Sequence, residues 1–343
     1  MRKNLQKAGS LLLAGVLALG LAACAKKEEP AASGTPAGKP ADKPLTELTV
    51  LLDWYPNAVH SFLFAAEEQG YFKEAGLKVN LQTPADTNDA LKLLAADKAD
   101  LAISYQMQVA LSRAEGIPIV SVASIVRHPL NQVFASEKSG IKSAKDLAGH
   151  KVGYPSFPID QDKVTTMVKA DGGDPSKVQF IDVGYDLIPA MTTGKVDAII
   201  GGYINHEKLL LEKEGIKLVA LDPAKFGVPD YYELVLTASE NGLKSKGDAI
   251  KAFWQAARKG QEYTAKNPDK ALKTVLDKQN KEFELDPEIE KKSLQVLLPL
   301  MDNGKDKFGS QTEASWQSVI DWMKKNGSLK GDVKAADAFR NLE

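Results

Sequence analysis

The chain has 343 residues, 43% of them hydrophobic and 26% charged, with a formal net charge of −1. That is the composition of a soluble globular protein of about two domains, without the basic face a nucleic-acid partner requires. A single cysteine, Cys24, rules out an intrachain disulfide and a cysteine-built zinc site.

Arg2, Lys3 and Lys7 precede an apolar stretch from Leu11 to Leu21, a basic-then-apolar order that reads as a secretory signal too short to span a bilayer comfortably. It closes on Leu21-Ala22-Ala23-Cys24, which resembles the lipobox of bacterial lipoproteins. That resemblance implies a signal peptide over residues 1–23, a lipidated Cys24 and a place of work at the membrane, outside the cytoplasm. Residues 24–44 are rich in Ala, Pro, Gly, Lys and Glu. With almost nothing apolar to bury, they cannot offset the entropy of ordering and read as a tether.

Folded structure is expected from Leu45. Leu48-Thr49-Val50-Leu51-Leu52 reads as a strand buried on both faces, stopped before Pro56, which has no N–H to give a ladder. A helix opens at His60 or Ser61, with Phe62, Ala65 and Ala66 at helical spacing. Further strands are expected at Leu77–Gln82, Leu101–Ser104 and Ile117–Val126, with a helix capped by Thr87 or Asn88 and another from Met107 to Glu115. Leu130–Ser136 reads as extended. A second series then gives strands at Lys151–Tyr154, Val178–Ile181, Ala198–Gly201 and Lys217–Ala220, and helices at Asp160–Asp171, Asp186–Thr193 and Asn205–Lys213. After an extended Glu233–Ala238 the chain is helical at Ser245–Lys266, Pro268–Gln279, Pro287–Met301 and Thr312–Asn326.

Strands alternating with helices imply parallel or mixed sheets joined by right-handed crossovers. Two such series joined by two extended crossings predict an α/β fold of two lobes, with a helical tail packed on the first. The expected first lobe is residues 45–133 plus 238–343, and the second is 134–237. A ligand cleft then lies between lobes that can hinge shut.

The combination of the lipobox, Asp53-Trp54-Tyr55-Pro56-Asn57 with His60, Glu68-Gln69-Gly70-Tyr71-Phe72, Lys145-Asp146-Leu147-Ala148-Gly149 and Gly194-Lys195-Val196-Asp197-Ala198 resembles the substrate-binding proteins of ABC importers. More narrowly, the Asp-Trp-x-Pro-Asn stretch and Gly201-Gly202-Tyr203-Ile204-Asn205-His206-Glu207 resemble the thiamine-pyrimidine family. That family includes bacterial formylaminopyrimidine-binding lipoproteins and fungal pyrimidine synthases. The resemblance implies a type II-like two-lobed binding fold, a monomer that hands a small pyrimidine to a membrane permease, and no cofactor. It also carries an enzyme alternative. The fungal enzymes place a lysine and a histidine just after the third strand, where this chain has Ser104 and Gln108, and they carry a cysteine-rich iron motif that is missing here. The amine and the iron site that such chemistry requires are therefore not supplied.

A flat polar heterocycle needs ring faces and a few placed hydrogen-bond groups. Trp54 offers a face from the first lobe and Tyr203 one from the second, with Gly201 and Gly202 letting the backbone approach. Glu207, four residues beyond Tyr203, shares a helix face with it if the helix has begun, and its carboxylate can accept from an exocyclic amine. Asn57 suits ring nitrogens or a formyl group and equally suits a turn after proline; His60 reads as either a helix cap or a contact. Tyr105 follows the third strand and Tyr154 the first strand of the second lobe, so both are placed toward the cleft. Pro155 and Pro158 remove two donors from the loop after Tyr154, making an apolar or aromatic wall rather than an oxyanion site. Tyr231-Tyr232-Glu233 sits at the return crossing, where it serves the cleft or packing. Arg113 and Arg127 do not directly follow strand ends, so an uncharged or weakly charged ligand is expected. His206 beside Glu207 has no further ligand at metal spacing and reads as structural. The scaffold alone equally suits riboflavin, a sulfonate or a nitrile-type cargo.

Overall fold

The computed structural model describes residues 44–83, 89–184, 186–281, 284–302 and 304–342. The expected signal peptide, Cys24, the expected tether up to residue 43 and the cap expected at Thr87 or Asn88 lie outside them.

In chain order the elements are β1 Thr46–Leu51, α1 Ser61–Glu68, α2 Tyr71–Glu74, β2 Leu77–Gln82, α3 Ala90–Ala95, β3 Leu101–Ser104, α4 Gln106–Ala114 and β4 Ile119–Val126. The chain then crosses to β5 Asn131–Ser136, β6 Lys151–Tyr154, α5 Pro158–Ala170, β7 Gln179–Asp182, α6 Leu187–Thr192, β8 Ala198–Tyr203, α7 Glu207–Lys213 and β9 Leu218–Leu221. It returns through β10 Leu234–Ser239 and ends in α8 Glu240–Lys266, α9 Pro268–Asp277, α10 Pro287–Met301, α11 Glu313–Asn326 and α12 Ala335–Ala338.

Two five-stranded sheets result, ordered β2-β1-β3-β10-β4 and β7-β6-β8-β5-β9. In each, four strands point the same way, while the fourth in the order runs antiparallel to both neighbours. The sheets are thus mixed rather than purely parallel. The antiparallel strand in each adjoins a crossing: β5 follows the outward one and β10 the return. Pairing keeps Asn131–Ser136 whole in the second sheet and Leu234–Ser239 whole in the first. The crossings therefore occupy residues 127–130 and 222–233, whereas lobe limits at 133/134 and 237/238 would cut through both strands.

The β1 run is buried because both faces of the first sheet are covered. Leu48, Val50, Leu101 and Ile103 pack with Phe62, Phe253 and Trp254, the last two from α8. Burial of each such side chain contributes about 1.5–3 kcal/mol. The tail completes this lobe: α8 and α9 lie against α1, α10 against the 58–60 turn and β4, and α11 against α4. Helix α8 begins earlier than its apolar spacing indicates, because Ser239 caps it through Gly242 N and the helix continues through a kink at Lys246.

Candidate functional site

Four strand-to-helix turns, after β1, β3, β6 and β8, meet at the carboxyl ends of the two sheets, where open α/β sheets hold ligands. They enclose a cavity of about 440 Å³, closed on the remaining sides by the crossings and by the start of α10. The lining includes Trp54, Asn57, Tyr105, Tyr203 and Glu207 among the residues singled out from the sequence.

The turn after β1 is held from behind. Asn57 caps it: Val59 N donates to Oδ1 at 3.0 Å, and Nδ2 donates to Tyr55 O at 3.1 Å. Asn57 N donates to His60 Nδ1 at 3.2 Å, and His60 Nε2 meets Asp53 Oδ1 at 2.9 Å. Ala58 N donates to Glu290 Oε2 on α10 at 2.7 Å. His60 is fully buried and is not part of the cavity wall. Its expected ligand contact is corrected: both ring nitrogens are used to fix the turn that carries Trp54. Trp54 stands edge-on to Tyr55, ring centroids 6.1 Å apart.

The turn after β8 is held from the ligand side. Helix α7 starts only at Glu207, so Tyr203 and Glu207 do not share a helix face. Instead the Glu207 carboxylate reaches back, with Oε2 accepting from Tyr203 N at 2.8 Å and Oε1 facing His206 Nδ1 at 2.9 Å. Burial opposes charge on Glu207, but His206 and the hydrogen bonds outweigh it and leave its pKa below the usual value. Burial likewise opposes the His206 imidazolium, yet Glu207 and Glu290 carry its pKa up to about 9. The pair is therefore ionic at neutral pH. Tyr203 Oη donates to Glu233 Oε1 at 3.1 Å.

Gly201 and Gly202 serve packing more than ligand approach. Gly201 has φ +97°, and a Cβ there would lie 2.6 Å from the Pro155 ring; at Gly202 it would lie 3.0 Å from the Phe134 ring. Tyr154 is also corrected. Its ring packs edge-on against Phe180 at 6.3 Å and is absent from the wall. Its successors Pro155, Phe157 and Ile159 form the apolar wall that the two prolines indicate, and Phe157 reaches Tyr105 across the cleft at 6.5 Å. Arg113 pairs with Glu240 and Arg127 with Asp306, and neither lines the cavity.

The floor is a buried polar network that the sequence reading touched only at Tyr231 and Glu233. Glu233 Oε2, on the return crossing, accepts from Leu130 N at 2.7 Å and Asn131 N at 3.0 Å, so one carboxylate ties the two crossings together. Burial raises its pKa. Lys163 Nζ lies 2.9 Å from Asp160 Oδ1 and 5.0 Å from the Tyr231 ring centroid. Burial would push Lys163 down, but Asp160, Tyr231 and Glu233 hold its pKa above the ordinary range. Asn131 links this pair to the sheet: Nδ2 donates to Asp160 Oδ1 and Oδ1 accepts from Gly201 N. The signal available in the sequence was an opposite-charge pair, Asp160 and Lys163, on the face of α5 that also carries Val164, Met167 and Val168. Among the described residues, the cavity's two cationic groups, Lys163 and His206, each already face a carboxylate. No cluster able to hold a metal ion occurs among those residues.

Two α/β lobes around a largely apolar cavity, with aromatic rings from both sides and its cations already paired, define a small-molecule-binding protein of the two-lobed, hinged class. The chain belongs to the NMT1/THI5-like family, whose profile matches residues 57–271. It is 43% identical over 302 residues to the formylaminopyrimidine-binding protein of Halalkalibacterium halodurans, covering 88% of this chain and 92% of that one. It is 27% identical over 241 residues to a 4-amino-5-hydroxymethyl-2-methylpyrimidine phosphate synthase of Saccharomyces cerevisiae, covering 67% and 71%. In fold it is similar to the alkanesulfonate-binding protein of Xanthomonas axonopodis pv. citri bound to MOPS, with a TM-score of 0.68, 14% identity, and coverage of 88% and 99%.

Proposed function

We propose that this chain is the substrate-binding component of an ABC importer, and that it captures a thiamine-type pyrimidine, formylaminopyrimidine or hydroxymethylpyrimidine, between its lobes. The observation that carries this reading is the cavity itself: Trp54 and Tyr203 line it from opposite lobes, and each cation in it is already paired. Such a site suits a flat, uncharged ring and leaves a sulfonate without a free cation. The likeness to a formylaminopyrimidine-binding protein over nearly the whole of both chains supports the same cargo.

In this reading Trp54 and Tyr203 stack the ring, with Tyr105 at its edge. Glu207, whose carboxylate oxygens each retain a lone pair beyond the bonds named above, accepts from the exocyclic amine. Asn57 retains an amide hydrogen and an oxygen lone pair for orientation. Ligand binds the closed arrangement better than the open one, so closure gives the permease a shape to recognise. The protein works outside the cytoplasm as a monomer held to the membrane by lipidated Cys24.

The protein binds rather than turns over its ligand. Ser104 Oγ donates to Gln108 Oε1 at 3.2 Å, where the resemblance to the fungal synthases places a lysine and a histidine. A thermal-shift panel of formylaminopyrimidine, hydroxymethylpyrimidine, thiamine, riboflavin, an aliphatic sulfonate and pyridoxal phosphate tests the cargo. A pyrimidine at a hundredfold excess over its dissociation constant stabilises the fold by about 2.7 kcal/mol. Stabilisation by riboflavin or the sulfonate alone, or conversion of pyridoxal phosphate, overturns the assignment.

A further inference from the structure

We infer that Gln106 is a ligand-binding residue, its side-chain NH2 donating a hydrogen bond to an acceptor on the bound ring. The inference rests on the pyrimidine-binding reading and narrows the ligand to one that carries both an acceptor and a donor.

Gln106 is the first residue of α4, directly after Tyr105, and is 0% exposed. Its Oε1 accepts from Tyr232 N on the return crossing at 2.7 Å. A backbone N–H only donates, so the oxygen must face Tyr232, and this fixes which end of the amide carries the NH2. That Nε2 is buried and has no partner in the protein, and Gln106 forms part of the cavity wall. Gln261 Nε2 and Gln311 Nε2 are buried and unpartnered as well, but neither residue lines the cavity. The location, not the missing partner alone, sets Gln106 apart.

A matching acceptor comes from the second lobe. Asn205, 5% exposed and also in the wall, donates through Nδ2 to Ser293 Oγ at 3.0 Å, while its Oδ1 is buried without a partner. Buried polar groups are nearly always paired, so one cavity with an unmatched donor and an unmatched acceptor fits a ligand that supplies the converse of each. A ring nitrogen beside an exocyclic amine does so. An anion, which only accepts, leaves Asn205 unmatched.

The test is calorimetric titration of the full-length chain with formylaminopyrimidine, as wild type, Gln106→Glu and Gln106→Met. Gln106→Glu keeps an oxygen for Tyr232 N and exchanges the donor for a second oxygen. The expected result at pH 8 is binding weakened roughly tenfold or more, as follows when a buried donor–acceptor pair is broken. If the new carboxyl is protonated and donates in the amide's place, affinity close to wild type at pH 6 must fall as pH rises, which supports the same role. Gln106→Met, which can neither donate nor ionise, must bind weakly at every pH. Affinity within twofold of wild type across the pH range in Gln106→Glu overturns the assignment even if Gln106→Met does not fold. A wild-type chain that binds no pyrimidine overturns the functional reading, and this assignment falls with it; wild-type binding with an indifferent Gln106→Glu overturns this assignment alone.

Discussion

The turns after β1 and β8 do the same job by opposite means. Each follows a strand, presents an aromatic residue to the cavity and runs into a helix. Behind Trp54, the groups that fix the turn are buried in the first lobe: His60 on Asp53 and on Asn57 N, and Glu290 on Ala58 N. Behind Tyr203, the fixing group is the Glu207 carboxylate, which itself lines the cavity and shares its charge with His206. On the first wall, therefore, the buried supports His60 and Glu290 are distinct from the ring that faces the cavity, while Asn57 both caps the turn and lines the cavity. On the second, support and recognition coincide. Substitutions on the first wall should separate stability from affinity, and those on the second should move both.

The largest effect expected is on the hidden support of the first wall. His60→Ala leaves Asp53 and Asn57 N without partners and opens a cavity, a loss of about 3 kcal/mol in denaturant unfolding. A loss below about 1 kcal/mol would mean that the turn does not depend on this ring. Next comes the cavity-facing ring of the same wall. Trp54→Ala removes the stacking face, about 2 kcal/mol or roughly thirtyfold in pyrimidine affinity, and barely changes unliganded stability because Trp54 is only half-buried. Equal losses in affinity and stability would erase the distinction drawn for this wall.

The second wall is probed by Glu207→Gln, which removes a charge-assisted acceptor. Affinity for an aminopyrimidine should fall roughly tenfold, with a measurable drop in melting temperature because the Tyr203 turn loosens too. Affinity left intact would remove Glu207 from the ligand's partners.

The remaining effect is in the pH profile. The His206 pKa is raised in the folded state to about 9, so its stabilisation is complete below the unfolded value near 6.5 and is lost as pH rises through 9. Glu207 is lowered, so its contribution is present above the ordinary carboxylate range and is lost as pH falls. Chemical denaturation between pH 6.5 and 9 should show wild-type stability declining relative to His206→Gln. Parallel profiles would mean that His206 does not carry its charge in the fold.

Where local pattern decides the structure, the sequence was readable. Leu77–Gln82, Leu101–Ser104 and Lys151–Tyr154 are short runs with clear breaks, and Pro287–Met301 opens on a proline after a capping Asp286; all four occur with the expected limits. The insertion of β10 between β3 and β4 was not readable, because an antiparallel guest strand arriving more than a hundred residues later leaves no local mark. The site divides in the same way. Trp54, Tyr105 and Tyr203 declare themselves by type and by position after a strand. Gln106 had the same position as Tyr105 and could have been found by it. Glu290 bonds to the first turn across 232 residues, and Asn131 reaches Gly201 across 70, so neither role is visible until the chain is folded.

The most direct test of the central claim is a crystal structure of the chain with formylaminopyrimidine. One molecule is expected in the interlobe cavity, with its ring between Trp54 and Tyr203 and its exocyclic amine at Glu207. A pyrimidine bound elsewhere, or in the cavity with neither ring against it, would contradict that claim.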